Sequence, residues 1–127
     1  MHRSRLGAIV IDCMTGSDLE REAEFWSRAL GCAATRSDDP DDADYVKLET
    51  PAGEVQVLLQ RVEHASRVHI DIETDDQEAE VQRLESLGAK RIAKVKRWWV
   101  LEAPSGHRFC VVDPQRSTFE RDANRWE

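Results

Sequence analysis

The sequence predicts an α+β fold in which two tandem βαβββ modules pair into an open, cup-shaped, eight-stranded sheet. Residues 48–53 (LETPAG) and 101–106 (LEAPSG) are nearly the same hexapeptide, repeated at an offset of 53 residues. Each copy lies at the same place in a similar order of strand and helix signals. A half of about sixty residues buries little surface alone, so we expect the two copies to pair and enclose a cavity.

The first module is predicted at about residues 5–62. Alternating residues predict a strand near 5–13. Ser17, with Glu20 three residues later, forms a capping box at the start of a helix that ends at Gly31. Three short strands follow, near 32–37, 44–49 and 54–61.

The second module, at about residues 66–113, repeats this order. A strand is predicted at 67–74, followed by a helix that Asp75 caps and Gly88 ends. Three strands follow, near 89–95, 97–103 and 107–113. Both modules and a tail at 114–127 make a single domain.

Composition limits the classes of function. The chain has 127 residues with 25 acidic and 18 basic side chains and a net charge of −7, which disfavours a nucleic-acid surface. No apolar run approaches the ~20 residues that span a bilayer, so we expect a cytoplasmic protein and no membrane partner. Cys13, Cys32 and Cys110 lack CxxC spacing and indicate reduced thiols. Phosphate-loop, GxGxxG, HExxH and GxSxG motifs do not occur in the sequence.

The strand at 67–74 carries the strongest candidates for chemistry. His69 and Asp71 alternate with Ile70 and Ile72, and the isoleucines are expected to pack under the helices. The polar side chains then line the cavity, where a carboxylate can orient an imidazole for acid–base work. His69 and Asp71 are therefore the candidate catalytic residues, and a purely structural, hydrogen-bonded His69 is the alternative.

Four further residues are candidates for ligand binding. Trp98 and Trp99 are consecutive on a strand, so one ring points into the cavity and the other away from it. Cys110 is either an activated thiol or a small apolar filler. Asp12 occupies the place in the first module that Glu73 occupies in the second.

These features together resemble one superfamily. His69 in the pattern His-Ile-Asp-Ile, the Leu-Gly helix ends and the Pro-Ser-Gly turn before residues 109–112 are similar to the vicinal oxygen chelate superfamily. The likeness covers residues 5–113 and is greatest to small glyoxalase-like, bleomycin-resistance-like proteins. It implies a scaffold that hosts isomerases, epimerases, dioxygenases, thiol transferases and drug-sequestering proteins, commonly as homodimers.

The resemblance also implies where a metal is held. Metal-dependent members place one ligand on the first and one on the last strand of each module. With the repeat as a guide, these positions are Ala8, Val57, His69 and Cys110. Alanine and valine have no lone pair to donate, so we expect no tightly bound metal and no cofactor.

Three classes of function follow from the sequence. The first is a metal-free protein that binds a small apolar or aromatic molecule in the cavity. The second is a lyase- or isomerase-type enzyme that uses His69 with Asp71, or a metal at residues not identified. The third is an interaction module with a vestigial cavity.

The tail carries an apolar stripe of its own. Phe119, Ala123 and Trp126 are spaced as on one face of a short amphipathic helix. Such a helix is stable only when docked. It is expected to dock either on its own chain or across a homodimer interface.

Overall fold

The structure is a computed structural model that describes residues 1–16 and 18–127. The described residues form nine strands: β1 (His2–Met14), β2 (Ala34–Thr35), β3 (Tyr45–Leu48), β4 (Gln56–Val62), β5 (Arg67–Thr74), β6 (Lys90–Val95), β7 (Trp98–Glu102), β8 (Arg108–Val112) and β9 (Asn124–Trp126). Three α-helices accompany them: α1 (Leu19–Leu30), α2 (Gln77–Ser86) and α3 (Phe119–Asp122). A 3-10 turn spans Pro40–Asp42. No helix in this described part of the chain is long and apolar enough to cross a membrane.

The order β-α-β-β-β occurs twice along the chain, which confirms the predicted α+β fold. The chain forms two compact units. One comprises Ala8–Val68, and the other comprises Met1–Gly7 together with His69–Glu127. The first half of β1 therefore belongs with the second module, although the sequence assigns that strand to the first.

In the unit Ala8–Val68 the strands follow the order β2-β3-β4-β1. β1 and β4 are parallel, and Ala8 lies opposite Gln56 in their register. α1 covers one face of these strands, because its apolar stripe buries Leu19 and Ala23. The core beneath the helix consists of Cys13, Leu19, Ala23, Val46, Leu48 and Leu59.

In the other unit β5, β8, β7 and β6 are neighbours in that order, with β5 parallel to β8. α2 covers one face, and the core beneath it consists of Val81, Leu101, Phe109 and Val111. Ile72 and Trp99 pack against this cluster. The opposite face of these strands carries the candidate functional residues.

The helix starts differ from the sequence prediction by one residue each. Asp18 caps α1, because its carboxylate accepts hydrogen bonds from the amides of Glu20 and Arg21. Ser17, the predicted cap, lies outside the described residues. Asp76 caps α2 by accepting from the amide of Ala79, and the predicted cap Asp75 instead accepts from the amide of Arg3.

The tail is not the amphipathic helix that its spacing suggests. α3 is a single turn that buries Phe119, and the chain then forms β9, which pairs antiparallel with His2–Ser4 of β1. The indole of Trp126 donates a hydrogen bond to Ser4 at 2.8 Å. An isolated helix of this length is marginal, whereas strand pairing satisfies the backbone of both segments. The tail thus docks on its own chain.

Candidate functional site

β5 divides its side chains between two faces. Ile72 packs on the α2 core, so His69 and Asp71 point to the opposite face, as the alternation predicts. The prediction that Ile70 also packs under the helix is wrong, because its side chain is 43% exposed. Pairing with β8 begins only at Asp71, so Ile70 lies before the part of β5 that the core covers.

His69 and Asp71 are in direct contact. The Nε2 atom of His69 lies 3.3 Å from Oδ1 of Asp71. The two side chains are only 12% and 14% exposed, so the pair is largely shielded from solvent. Oδ1 of Asp71 is buried and accepts no hydrogen bond from a described residue, so the contact is an electrostatic one. A carboxylate beside an imidazole suits the pair both to hydrogen-bond a ligand and to move a proton.

Cys110 joins this pair from the neighbouring strand. It lies opposite Asp71 in the parallel register of β5 and β8, so the two side chains share a face. One donor atom each from His69, Asp71 and Cys110 lie within 4.8 Å of one another. The thiol is half-buried and reduced. The structure thus brings together three of the residues that the sequence selected.

The two tryptophans of β7 point in opposite directions, as predicted. Trp99 pairs with Val111 and packs on the α2 core, with the Arg91 guanidinium 4.9 Å from its ring centroid. Trp98 therefore faces the other way and shares its face with Val100, which lies opposite Cys110. The aromatic ring beside the candidate site is that of Trp98.

Glu73 continues the polar face of β5 but has a structural role. Its side chain is fully buried and accepts a hydrogen bond from Nε of Arg5. It also accepts from the amide of Gln115 at 2.8 Å, and Nη2 of Arg116 lies 3.7 Å away. These contacts hold the segment after β8 against one end of the polar face of β5.

The structure corrects one of the metal-ligand positions inferred from the repeat. Val57 packs on the core under α1, whereas Ala8 lies in register with Gln56 and so faces the other side. The offset of the hexapeptide is therefore wrong by one residue at β4, and a shift of one residue turns a side chain to the opposite face. Gln56, which is buried, and Leu58 are the residues of β4 that share the face of Ala8. The alternation of β4 itself, with apolar Val57 and Leu59 on one face, was the available signal.

Asp12 lies in the unit Ala8–Val68 and is buried. Its Oδ2 atom is 3.9 Å from Nε2 of His64 and 3.8 Å from Nε of Arg67. It lies opposite Gln60, whose amide donates to the Tyr45 hydroxyl at 3.0 Å. Asp12 thus belongs to a polar row across β1, β4 and β3, and its role in ligand binding stays a prediction.

A cavity of about 320 Å³ lies at the edge of the same unit. Polar and charged residues line it, among them Arg36 and Lys47. Arg36 is already paired with Glu20, and Lys47 lies 3.9 Å from Glu49. Since its cations have acidic partners, the cavity is a weaker candidate than the face around His69.

Comparison with known proteins identifies the family. A family model described as a glyoxalase-like domain matches residues 8–112. The chain belongs to the glyoxalase-like domain family. The predicted resemblance to glyoxalase-like proteins is thereby confirmed. Among curated proteins, no sequence matches this glyoxalase-like chain at a significant level.

Solved structures place the glyoxalase-like chain among related folds. Methylmalonyl-CoA epimerase from Mycobacterium tuberculosis matches with a TM-score of 0.62 at 17% identity, over 87% of this chain and 88% of that one. A variant of the Streptomyces coelicolor methylmalonyl-CoA epimerase in complex with 2-nitronate-propionyl-CoA matches with a TM-score of 0.60 at 17% identity, over 88% and 98%. A variant of homoprotocatechuate 2,3-dioxygenase from B. fuscum matches with a TM-score of 0.56 at 16% identity, over 90% of this chain and 33% of that one. At these identities the likeness establishes the fold.

Proposed function

We propose that this glyoxalase-like domain binds a small apolar or aromatic molecule on the face of β5, β8 and β7, without a resident metal. The contact between His69 and Asp71, at 3.3 Å on the face opposite the α2 core, carries the proposal. A few convergent polar groups beside apolar surface are typical of small-molecule sites. Trp98 and Val100 supply the apolar surface here.

The residues present do not fit the four-ligand metal set that the family resemblance implies. Ala8 has no donor atom, and Val57 is both apolar and turned toward the α1 core. A ligand with a hydrogen-bonding group instead finds an imidazole and a carboxylate side by side in His69 and Asp71. The metal-free protein is therefore the ligand-binding form.

A thermal-shift screen of apolar and aromatic metabolites in EDTA-containing buffer tests this proposal. A ligand at 100 times its dissociation constant adds about 2.7 kcal/mol to the free energy of unfolding. We expect His69→Ala to abolish the shift that a hit produces. His107→Ala is the matched control, because His107 is exposed and hydrogen-bonded to Ser105 in a turn. Equal binding by wild type and His69→Ala would refute the proposed site.

The contact between His69 and Asp71 also favours a second candidate function, that of an acid–base enzyme of the lyase or isomerase type. An imidazole oriented by a carboxylate can remove a proton from carbon next to a carbonyl group and return it. That several structural neighbours are named epimerases is in keeping with such chemistry. Incubation of screen hits in D₂O, followed by NMR, separates the candidates. Deuterium incorporation that His69→Ala abolishes supports the enzyme, and binding without exchange supports the binding protein.

A further inference from the structure

We propose that the molecule bound on the face of β5, β8 and β7 is a small apolar or aromatic amine. Its ammonium group hydrogen-bonds to Asp71, and its apolar body covers Val100, Val112 and Trp98. This assignment rests on the function proposed above, because it gives a chemical class to the ligand of the same site. Asp71 supplies a negative charge and a vacant hydrogen-bond acceptor, and the neighbouring strands supply the apolar surface.

The Asp71 carboxylate has one oxygen atom without a hydrogen-bond donor. Its Oδ1 is buried, and no described residue donates a hydrogen bond to it. A buried acceptor costs free energy until a donor reaches it, so a ligand with an N–H group supplies what the site lacks. The side chain is 14% exposed and therefore opens onto the face. The terminal torsion of aspartate is soft, and rotation about it turns Oδ1 toward an incoming donor.

Glu73, two residues further along β5, is a carboxylate whose partners lie within the protein. It accepts hydrogen bonds from the guanidinium of Arg5 and from the backbone amide of Gln115. In the part of the chain that the structure describes, the single ion-pair contact of Asp71 is the one with His69. An imidazole in its neutral form leaves the charge of a carboxylate uncompensated, so a cationic ligand is favoured at Asp71.

The basic groups of this face lie beside another carboxylate, that of Glu102. Arg108 is two residues before Cys110 on β8, and its Nε atom lies 3.3 Å from Oε1 of Glu102. Lys90 of β6 lies opposite Glu102 in the strand register. An anionic ligand would have to compete with Glu102 for Arg108, whereas an ammonium group at Asp71 breaks no existing pair with a basic residue.

Apolar side chains extend from Cys110 across the face. Val112 is two residues beyond Cys110 on β8, and Val100 lies opposite Cys110 on β7. Trp98 shares this face, and Val95, which lies opposite Trp98 on β6, is 37% exposed. A ligand with an apolar body removes part of this surface from water. An amine with an aromatic or aliphatic body therefore matches both the carboxylate and the apolar part of the face.

The experiment compares ligands that differ only in the head group. Tryptamine, tryptophol and indole-3-propionate share a ring and a linker but end in an ammonium, a hydroxyl and a carboxylate group; phenethylamine, 2-phenylethanol and 3-phenylpropionate form the same set on a phenyl ring. Each is titrated into ¹⁵N-labelled protein at about pH 8, where a histidine side chain is ordinarily neutral. We expect an amine to bind saturably, with shifts in β5 and β8. It should bind about tenfold or more tightly than the carboxylate of its set, as expected for a hydrogen bond to a charged group.

Asp71→Asn removes the charge of the side chain and keeps its shape. It should weaken binding of the amine about tenfold or more and change binding of the alcohol less than about threefold, because the asparagine oxygen still accepts a hydrogen bond. Glu102→Gln is the matched control, since Glu102 lies on the same face and is already paired with Arg108. It should change amine binding less than about threefold. Circular dichroism checks that each variant is folded, and the comparison of head groups on the wild type needs no variant.

Two results would overturn the assignment of an amine. One is the absence of saturable amine binding, or a carboxylate that binds as tightly as the amine of its set. The other is amine binding that folded Asp71→Asn leaves unchanged. Neither result refutes the binding face itself, which is refuted if His69→Ala binds a screen hit as well as the wild type does. Failure of the ligand class and failure of the site are therefore distinguishable.

Discussion

At the scale of single residues, the side of a strand on which a residue lies decides whether it serves the core or the site. Trp98 and Trp99 are adjacent in sequence, yet Trp99 packs on the α2 core and Trp98 faces the His69 side. The pair therefore offers a matched comparison within one strand.

We predict opposite effects for the two substitutions. Trp99→Ala should lower the free energy of unfolding by about 3 kcal/mol, because it removes a large ring from the core. Trp98→Ala should cost less than about 1 kcal/mol while weakening binding of a screen hit. Chemical denaturation and ligand titration measure the two quantities. A destabilised Trp98→Ala with unchanged binding would mean that the faces are assigned the wrong way round.

The isoleucines of β5 provide a second comparison. Ile72 packs against the α2 core, whereas Ile70 is 43% exposed. Ile72→Ala should cost about 2–3 kcal/mol of unfolding free energy, and Ile70→Ala less than about 1 kcal/mol. Urea denaturation measures both changes. Equal costs would show that Ile70 is buried in the protein in solution.

The repeat predicts some of the four metal-ligand positions more accurately than others. His69 and Cys110 were placed correctly on one face, because each belongs to a strand with clear alternation. The position at Val57 is wrong, because loops of unequal length make the repeat offset vary along the chain. The offset therefore fixes a position only to within one residue, and a shift of one residue changes the face. The alternation of β5 predicts Asp71 as a partner of His69, but its position opposite Cys110 depends on the register of β5 and β8.

At the scale of elements, the C-terminal tail is the largest departure from the sequence prediction. The helical spacing of its apolar residues predicts that the tail docks, and the tail does dock. It does so, however, as one helical turn and a strand rather than as an amphipathic helix. The tail forms a strand because β1 offers a partner strand to pair with. The local sequence of the tail carries no signal for that pairing.

We predict that truncation after Gln115 lowers the melting temperature by several degrees. It removes the buried Phe119, the pairing of β9 with β1 and the hydrogen bond from Trp126 to Ser4. Removal of Glu127 alone, which lies beyond β9, is the control and should change nothing. Size-exclusion chromatography of the same proteins tests the homodimer, which stays a prediction. A truncated protein with the full-length melting temperature would show that the tail does not dock.

The buried Glu80 ties α2 to the start of β1. Its carboxylate accepts hydrogen bonds from Arg83 and from His2, each at 2.8 Å. Burial acts to raise the pKa of Glu80, but hydrogen bonds from Arg83, His2 and Ser4 outweigh it and hold the pKa below the ordinary value of 4.5. A carboxyl group whose pKa is lowered by folding stabilises the folded state above its unfolded pKa.

We therefore predict that Glu80→Gln costs about 1–3 kcal/mol of unfolding free energy at pH 7. The difference from wild type should shrink as the pH falls below 4.5 and through the folded pKa. Urea denaturation across this pH range measures it. Glu24→Gln is the control, because Glu24 is 70% exposed and its pair with Arg28 is a surface pair. A difference that does not change with pH would show that the charge of Glu80 is not what stabilises the fold.

At the scale of the whole molecule, the fold followed from the sequence more completely than the site. The repeated hexapeptide, the glycine helix ends and the strand alternation predict the order of elements through β8, and the structure has that order. These signals are local and recur in both modules, so each copy supports the other. The division of β1 between the two units depends on contacts far apart in sequence, which no local signal records.

The most direct test of the proposed binding face is an NMR titration of ¹⁵N-labelled protein with the strongest hit from the metabolite screen. We predict that the largest shifts occur in the amides of His69, Asp71 and Cys110 and in the indole of Trp98. Residues that line the cavity beside Arg36 and Lys47 should show no change. Shifts confined to that cavity, with the signals of β5 and β8 unmoved, would contradict the assignment of the binding site.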